Sequence, residues 1–234
     1  MINVNGQFWS KLNTDILEYT TTDIIMIAIK NNCCTDKHCN IDGDYPLSIA
    51  WNIWYVSKYS ENKMYNESPK TICGFACVDT MWRWMMQKEL QPGSLITGSD
   101  LFIFKSGVEP TWEDHNNKFG GRWTASMVKG IAEAWMSVYL GLIGGTLDPA
   151  GVVIGATIAK RKNYTRISVW TNDRTSPENL KIGKIIKKYL MDANVAMQMP
   201  IVKGMKRPLM SSPRLEYQDH GANYDVPMRH VLKW

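Results

Sequence analysis

The segment Tyr45-Pro46-Leu47-Ser48-Ile49-Ala50-Trp51-Asn52-Ile53-Trp54 alternates Leu47, Ile49, Trp51 and Ile53 with Ser48, Ala50, Asn52 and Trp54. Successive side chains of a strand point to opposite faces, so this period of two predicts a β-strand with an unusually aromatic outer face. A globular unit of residues 45–234 is expected to begin here. Residues 1–44 read as an N-terminal extension: a short helical pattern from Phe8 to Leu17, an apolar run from Ile24 to Ile29, and a polar segment ending at Asp44.

Downstream, the polar stretch Ser57 to Lys70 reads as a loop. Val78, Met81, Trp82 and Met85 then recur at helical spacing, and the element is expected to run to Leu90 before Pro92-Gly93 stops it. Leu101, Ile103 and Lys105 alternate with Phe102, Phe104 and Ser106 as a strand. A Gly/Pro/Asp/Asn-rich connection through Gly120-Gly121 follows and carries two tryptophans. Met127, Ile131, Ala134, Trp135, Val138, Tyr139 and Leu142 share one helical face, closed by Gly144-Gly145. Val152–Ala159 and Arg166–Thr171 predict a hairpin with a basic tip, Lys160-Arg161-Lys162-Asn163. Thr175-Ser176-Pro177-Glu178 opens a third helix, with Thr175 or Ser176 as its cap and Ile182, Ile185, Ile186, Tyr189 and Leu190 as its apolar stripe. This order contains no regular crossover units, so an α+β class is expected, with helices packed on one face of a mostly antiparallel sheet.

Composition narrows the functional classes. Ten tryptophans in 234 residues require an aromatic core, a ring-binding pocket, or both. The formal charge of +5 suits a polyanionic partner without demanding one. Five cysteines, an odd number, and no charged segment leading into an apolar one imply a reduced, intracellular setting. Cys33, Cys34, His38 and Cys39 do not match a standard zinc spacing, so no metal site is expected. The sequons at Asn66 and Asn163 carry no weight without secretion. No nucleophile elbow, Walker lysine loop or dinucleotide fingerprint is present, so no enzyme activity and no cofactor are expected.

The stretch Val108-Glu109-Pro110-Thr111-Trp112-Glu113-Asp114, followed by Asn117-Lys118-Phe119-Gly120-Gly121-Arg122-Trp123, resembles the central motif of the translation initiation factor 4E family. Pro46-Leu47 through Trp51 and Trp54, Trp82, Trp135 through Leu142-Ile143-Gly144, and Ile154-Gly155-Ala156 through Arg161, Arg166 and Trp170-Thr171 fall in the family's order. The resemblance implies a curved, mostly antiparallel sheet with about three long helices on its convex face and a pocket for the messenger-RNA cap on its concave face. It also implies a cytoplasmic protein that brings capped messages to the initiation machinery through a scaffold.

The chemistry of the cap explains the residue types. Methylation at N7 turns guanine into a flat cation, which binds best between electron-rich rings. The resemblance implies that Trp112 is one such ring and that the second falls at Met64-Tyr65, where only Tyr65 is aromatic. Glu113 would accept hydrogen bonds from the N1–H and N2 amine of guanine while balancing its charge. Arg161 and Arg166 would hold the triphosphate, with Lys160 or Lys162 compensating for Asn163, where many members carry lysine. Trp170 would touch the N7-methyl group and Arg122 would lie near the phosphates. Trp51, Trp54 and Trp123 are expected to be structural. Lys203 to Arg207 would approach the phosphate of the next nucleotide.

A second surface is implied as well. Pro46, Leu47, Val78, Trp82, Trp135 and Leu140 match positions where the family receives an amphipathic helix from a 4G-like scaffold or a 4E-binding repressor. Ser137 stands where an acidic residue usually meets that helix. Two alternatives accompany the main expectation: a cap-binding repressor or storage paralogue, suggested by Tyr65 and Ser137, and an interaction module with weakened cap binding, should Met64 face the pocket.

Overall fold

The computed structural model describes residues 45–57, 68–148, 150–195, 214–220 and 230–233. Phe8–Leu17, Ile24–Ile29, the cysteine cluster, Met64, Tyr65 and Lys203–Arg207 lie outside them.

Among the described residues one eight-stranded sheet organises the fold: β1 Pro46–Ser57, β2 Lys70–Cys77, β3 Ser99–Lys105, β4 Gly121–Met127, β5 Val153–Lys160, β6 Thr165–Thr171, β7 Arg214–Asp219 and β8 His230–Lys233. Its spatial order is β2-β1-β3-β5-β6-β4-β7-β8 with every pairing antiparallel. Three α-helices accompany it among the described residues: α1 Val78–Met85, α2 Ile131–Ile143 and α3 Glu178–Val195. The α+β class and the curved antiparallel sheet are therefore as expected.

Alternation assigns the two faces. Trp51, Ile53, Leu101, Ile103, Trp123, Ala125, Ile158, Ile167, Val169 and Tyr217 point to the helices and form one core with Trp135, Val138, Leu142, Ile182, Ile186 and Leu190. The opposite, open face holds a smaller cluster of Val56, Phe102, Phe104, Val108, Ile154 and Trp170, with Trp54 packed against it. Trp51 and Trp123 are thus core residues, whereas Trp54 supports the open face.

Three local expectations are corrected. The expected Ser57–Lys70 loop is shorter at both ends, since Ser57 closes β1 and Lys70 opens β2, a strand that was not expected and that pairs with β1. The first helix ends at Met85 rather than Leu90, because the side-chain amides of Gln87 and Gln91 donate to the Arg83 and Met85 carbonyls and cap its last turn. Only a short 3₁₀ turn, Lys88–Leu90, follows. Trp123 is not in a loop: it lies in β4, fully buried, its Nε1 donating to the Asn179 carbonyl at 2.9 Å. At α3 the cap is resolved in favour of Ser176, whose hydroxyl accepts the Glu178 N–H at 3.2 Å.

α3 reaches the sheet closely because Gly183 lies over Trp123. A Cβ built at Gly183 would stand 2.4 Å from Trp123 Cζ2. Alanine normally stabilises a helix interior by about 1 kcal/mol relative to glycine. Here overpacking against an immobilised indole costs about 1–3 kcal/mol and outweighs it. Gly183→Ala is expected to lower the melting temperature; a rise would show that the Trp123 ring can retreat.

Candidate functional site

The β3–β4 connection presents Trp112 and Glu113 from a fastened turn. Asn117, fully buried, donates from Nδ2 to the Glu109 carbonyl at 2.7 Å and the Thr111 carbonyl at 2.5 Å. Asp114 accepts the backbone N–H of Glu109 at 3.1 Å and of Asn116 at 2.8 Å. Burial opposes the charge of Asp114, but these hydrogen bonds outweigh it and hold the carboxyl below its usual range. The turn is thereby pinned on both sides of Trp112, yet the indole itself is 57 % exposed. Glu113 is exposed beside it. A large aromatic held out in water by a rigid turn is what a ring-binding site requires.

Below this turn the open face carries the other expected residues. On β6, Arg166, Ser168 and Trp170 alternate with the core residues Ile167 and Val169. Trp170 is buried, packed edge-on against Phe104 with centroids 5.3 Å apart. Arg122 pairs with Trp170 across β4 and β6, and its guanidinium carbon lies 5.6 Å from the indole centroid. Arg166 lies over Tyr164 at 5.9 Å, with Nη2 3.3 Å from the phenol oxygen.

Arg161 follows β5 at the hairpin tip, where its backbone N–H donates to the Tyr164 carbonyl at 2.9 Å. Its Nη1 is 2.6 Å from Asp100 Oδ1 and also reaches the carbonyls of Lys160 and Ser99, at 2.9 and 3.3 Å. Asp100 orients the guanidinium and offsets part of its charge; its place in the apolar pattern of β3 gave no sequence signal for this role. Of the expected set, Arg122, Arg166 and Trp170 lie on the open face, Arg161 stands at the hairpin tip against Asp100, and Trp112 and Glu113 stand in the connection that precedes β4.

His220, at the end of β7, is a second residue that sequence reasoning missed. Its ring lies 4.4 Å from that of Trp170, and its Nδ1 is 2.8 Å from the Asn117 carbonyl. Burial lowers its pKa to about 4 from 6.5; nearby Arg122 acts in the same direction, while the Asn117 contact and Asp219 oppose it. The unfolded chain therefore takes up a proton between pH 6.5 and 4 that the folded chain refuses. Stability is full above pH 6.5 and falls with pH through that window, by about 3 kcal/mol in all. Urea unfolding at pH 7.5, 5.5 and 4.5 checks this: His220→Asn should remove that part of the slope.

On the helix-covered side, Trp82 is 41 % exposed and Leu140 39 % exposed, with Pro46 exposed and Leu47 and Val78 half-buried nearby in sequence on β1 and α1. Val78 N–H donates to the Tyr45 carbonyl, joining the start of α1 to the start of β1. Trp135 is buried at 6 % exposure, beside Tyr139, and is therefore not an accessible anchor. Ser137 is half-buried on α2. Among the described residues, no helix is long and apolar enough to cross a membrane.

The architecture is thus an antiparallel sheet with helices on one face and, before β4, a fastened turn that holds Trp112 exposed beside Glu113. The model of the eukaryotic initiation factor 4E family matches residues 46–224, and the chain belongs to that family. Eukaryotic translation initiation factor 4E-1 of Schizosaccharomyces pombe is 36 % identical over 163 residues, covering 66 % of this chain and 73 % of that protein. Factor 4E-3 of Caenorhabditis elegans is 32 % identical over 157 residues, 62 % of this chain and 61 % of that protein. A structure of C. elegans eIF4E-3 with the 4E-binding protein Mextli and a cap analog has a TM-score of 0.64 at 28 % identity, covering 81 % of this chain and 100 % of that one. Ascaris suum eIF4E-3 with the m2,2,7G cap has a TM-score of 0.65 at 26 % identity, covering 81 % of this chain and 99 % of that one.

Proposed function

We propose that this chain binds the 7-methylguanosine cap of messenger RNA on its open face and delivers the message to the initiation machinery through a partner helix on its opposite face. The observation that carries the reading is the exposed Trp112 beside Glu113 on a turn locked by Asn117 and Asp114. Trp112 and Tyr65 stack on the two faces of the cationic base, Glu113 reads its N1–H and N2 amine, and Trp170 meets the methyl group. Arg122, Arg161 and Arg166 neutralise the triphosphate, with Arg161 pre-oriented by Asp100. The relatives solved with a cap and with Mextli support a cap ligand and a protein partner for this chain. Pro46, Leu47, Val78, Trp82 and Leu140 receive an amphipathic helix from a scaffold or a 4E-binding repressor.

The test is titration of intrinsic tryptophan fluorescence with 7-methyl-GTP and with GTP. Stacking on Trp112 should quench the signal with the methylated nucleotide at concentrations where GTP is silent. Equal responses, or none, would remove the cap-binding reading and leave the partner surface alone.

A further inference from the structure

The Trp112–Glu113 turn is closed from beneath by a residue that is far away in sequence. Asn117 donates to the carbonyls of Glu109 and Thr111, which bracket the turn, while its own carbonyl accepts two hydrogen bonds, from Gly120 N–H at 2.9 Å and from His220 Nδ1 at 2.8 Å. His220 returns a second bond, its backbone N–H donating to the Gly120 carbonyl at 3.0 Å. A carbonyl can only accept, so the ring carries its proton on Nδ1. The same ring packs 4.4 Å from Trp170 and is buried at 6 % exposure. One imidazole therefore touches both the support of the stacking turn and the indole of the pocket wall. The charged groups acting on it are Arg122 on β4 and Asp219 on its own strand.

We propose that His220 is a positioning residue for base recognition: as the Nδ1–H donor to Asn117 and the packing partner of Trp170, it sets Trp112 and Glu113 against the pocket wall. This deepens the cap-binding reading and rests on it. The proposal separates the location of the donor from mere occupancy of space. Asparagine puts an amide N–H where Nδ1 stands, whereas glutamine carries it one bond further, toward the place of Nε2. His220→Asn should therefore keep the clamp and His220→Gln should lose it, although both replace the ring by an amide of similar polarity.

The experiment compares wild type, His220→Asn and His220→Gln by amide hydrogen exchange without ligand, and then by titration with 7-methyl-GTP and GTP at pH 7. The Asn116 and Gly120 amides should exchange faster in His220→Gln and stay near wild type in His220→Asn, while amides of β3 and β5 are unchanged in both. Affinity for 7-methyl-GTP should fall by about tenfold in His220→Gln, with selectivity over GTP falling in parallel, and by no more than about threefold in His220→Asn. Equal turn protection and equal affinity in the two variants would overturn the positioning role. A wild type that fails to prefer 7-methyl-GTP would instead sink the cap-binding reading, and the exchange data would still decide whether His220 holds the turn.

Discussion

Trp112→Ala should weaken binding of 7-methyl-GTP by about a hundredfold, since stacking on a base together with attraction of a cationic ring amounts to about 3 kcal/mol. The same substitution should leave the thermal unfolding transition almost unmoved. The indole is 57 % exposed, and the turn that carries it is held by Asn117 and Asp114, not by the tryptophan. Affinity for unmethylated GTP, which lacks the positive charge on the base, should change far less. Isothermal titration with both nucleotides and a thermal melt decide the matter. A loss of stability in step with the loss of affinity would mean that Trp112 supports the turn and that its exposure has another cause.

Asn117→Ala is expected to show the reverse balance, with a large effect on the fold and a secondary one on binding. Its side-chain amide serves two carbonyls in a fully buried position, and truncation leaves both without that donor. Stripping hydrogen bonds from buried carbonyls costs about 1–3 kcal/mol for each group, so a destabilisation of about 3 kcal/mol is expected. At temperatures where the variant remains folded, 7-methyl-GTP should bind more weakly because the ends of the turn are no longer tied. Chemical unfolding followed by titration below the transition measures both quantities. An unchanged unfolding midpoint would show that the turn is held by Asp114 and the backbone alone.

The two effects belong to neighbouring residues of one motif, and the sequence distinguishes them only in part. Trp112 and Glu113 were singled out by the resemblance of residues 108–123 to the family motif, and their residue types, an aromatic beside a carboxylate, then suit the recognition proposed for them. Asn117 stands in the same motif, but nothing in its type says whether it is solvated or buried. Its importance appears only when the Glu109 and Thr111 carbonyls close on it. His220 and Asp100 were illegible for a stronger reason. Their partners, Asn117 and Arg161, lie 103 and 61 residues away, and no local pattern reports such a meeting.

The elements divide in the same way. The β5–β6 hairpin, α3 and α2 from Ile131 onward follow from periodicity and stop signals, whereas Met127, read with the face of α2, is the last residue of β4. β2 and β4 do not: their strand character comes from pairing with β1 and with β6 and β7. The edge of α1 was likewise set by two glutamine side chains rather than by Pro92-Gly93. By itself the sequence determined the class of fold, since hydrophobic period is a local property, and its motif residues carried the resemblance to the family. Only the tertiary structure decided which face each structural tryptophan supports, how far Trp112 and Trp82 stand exposed, and which distant residues hold the Trp112 turn, since burial and hydrogen-bond partners depend on what the rest of the chain brings alongside.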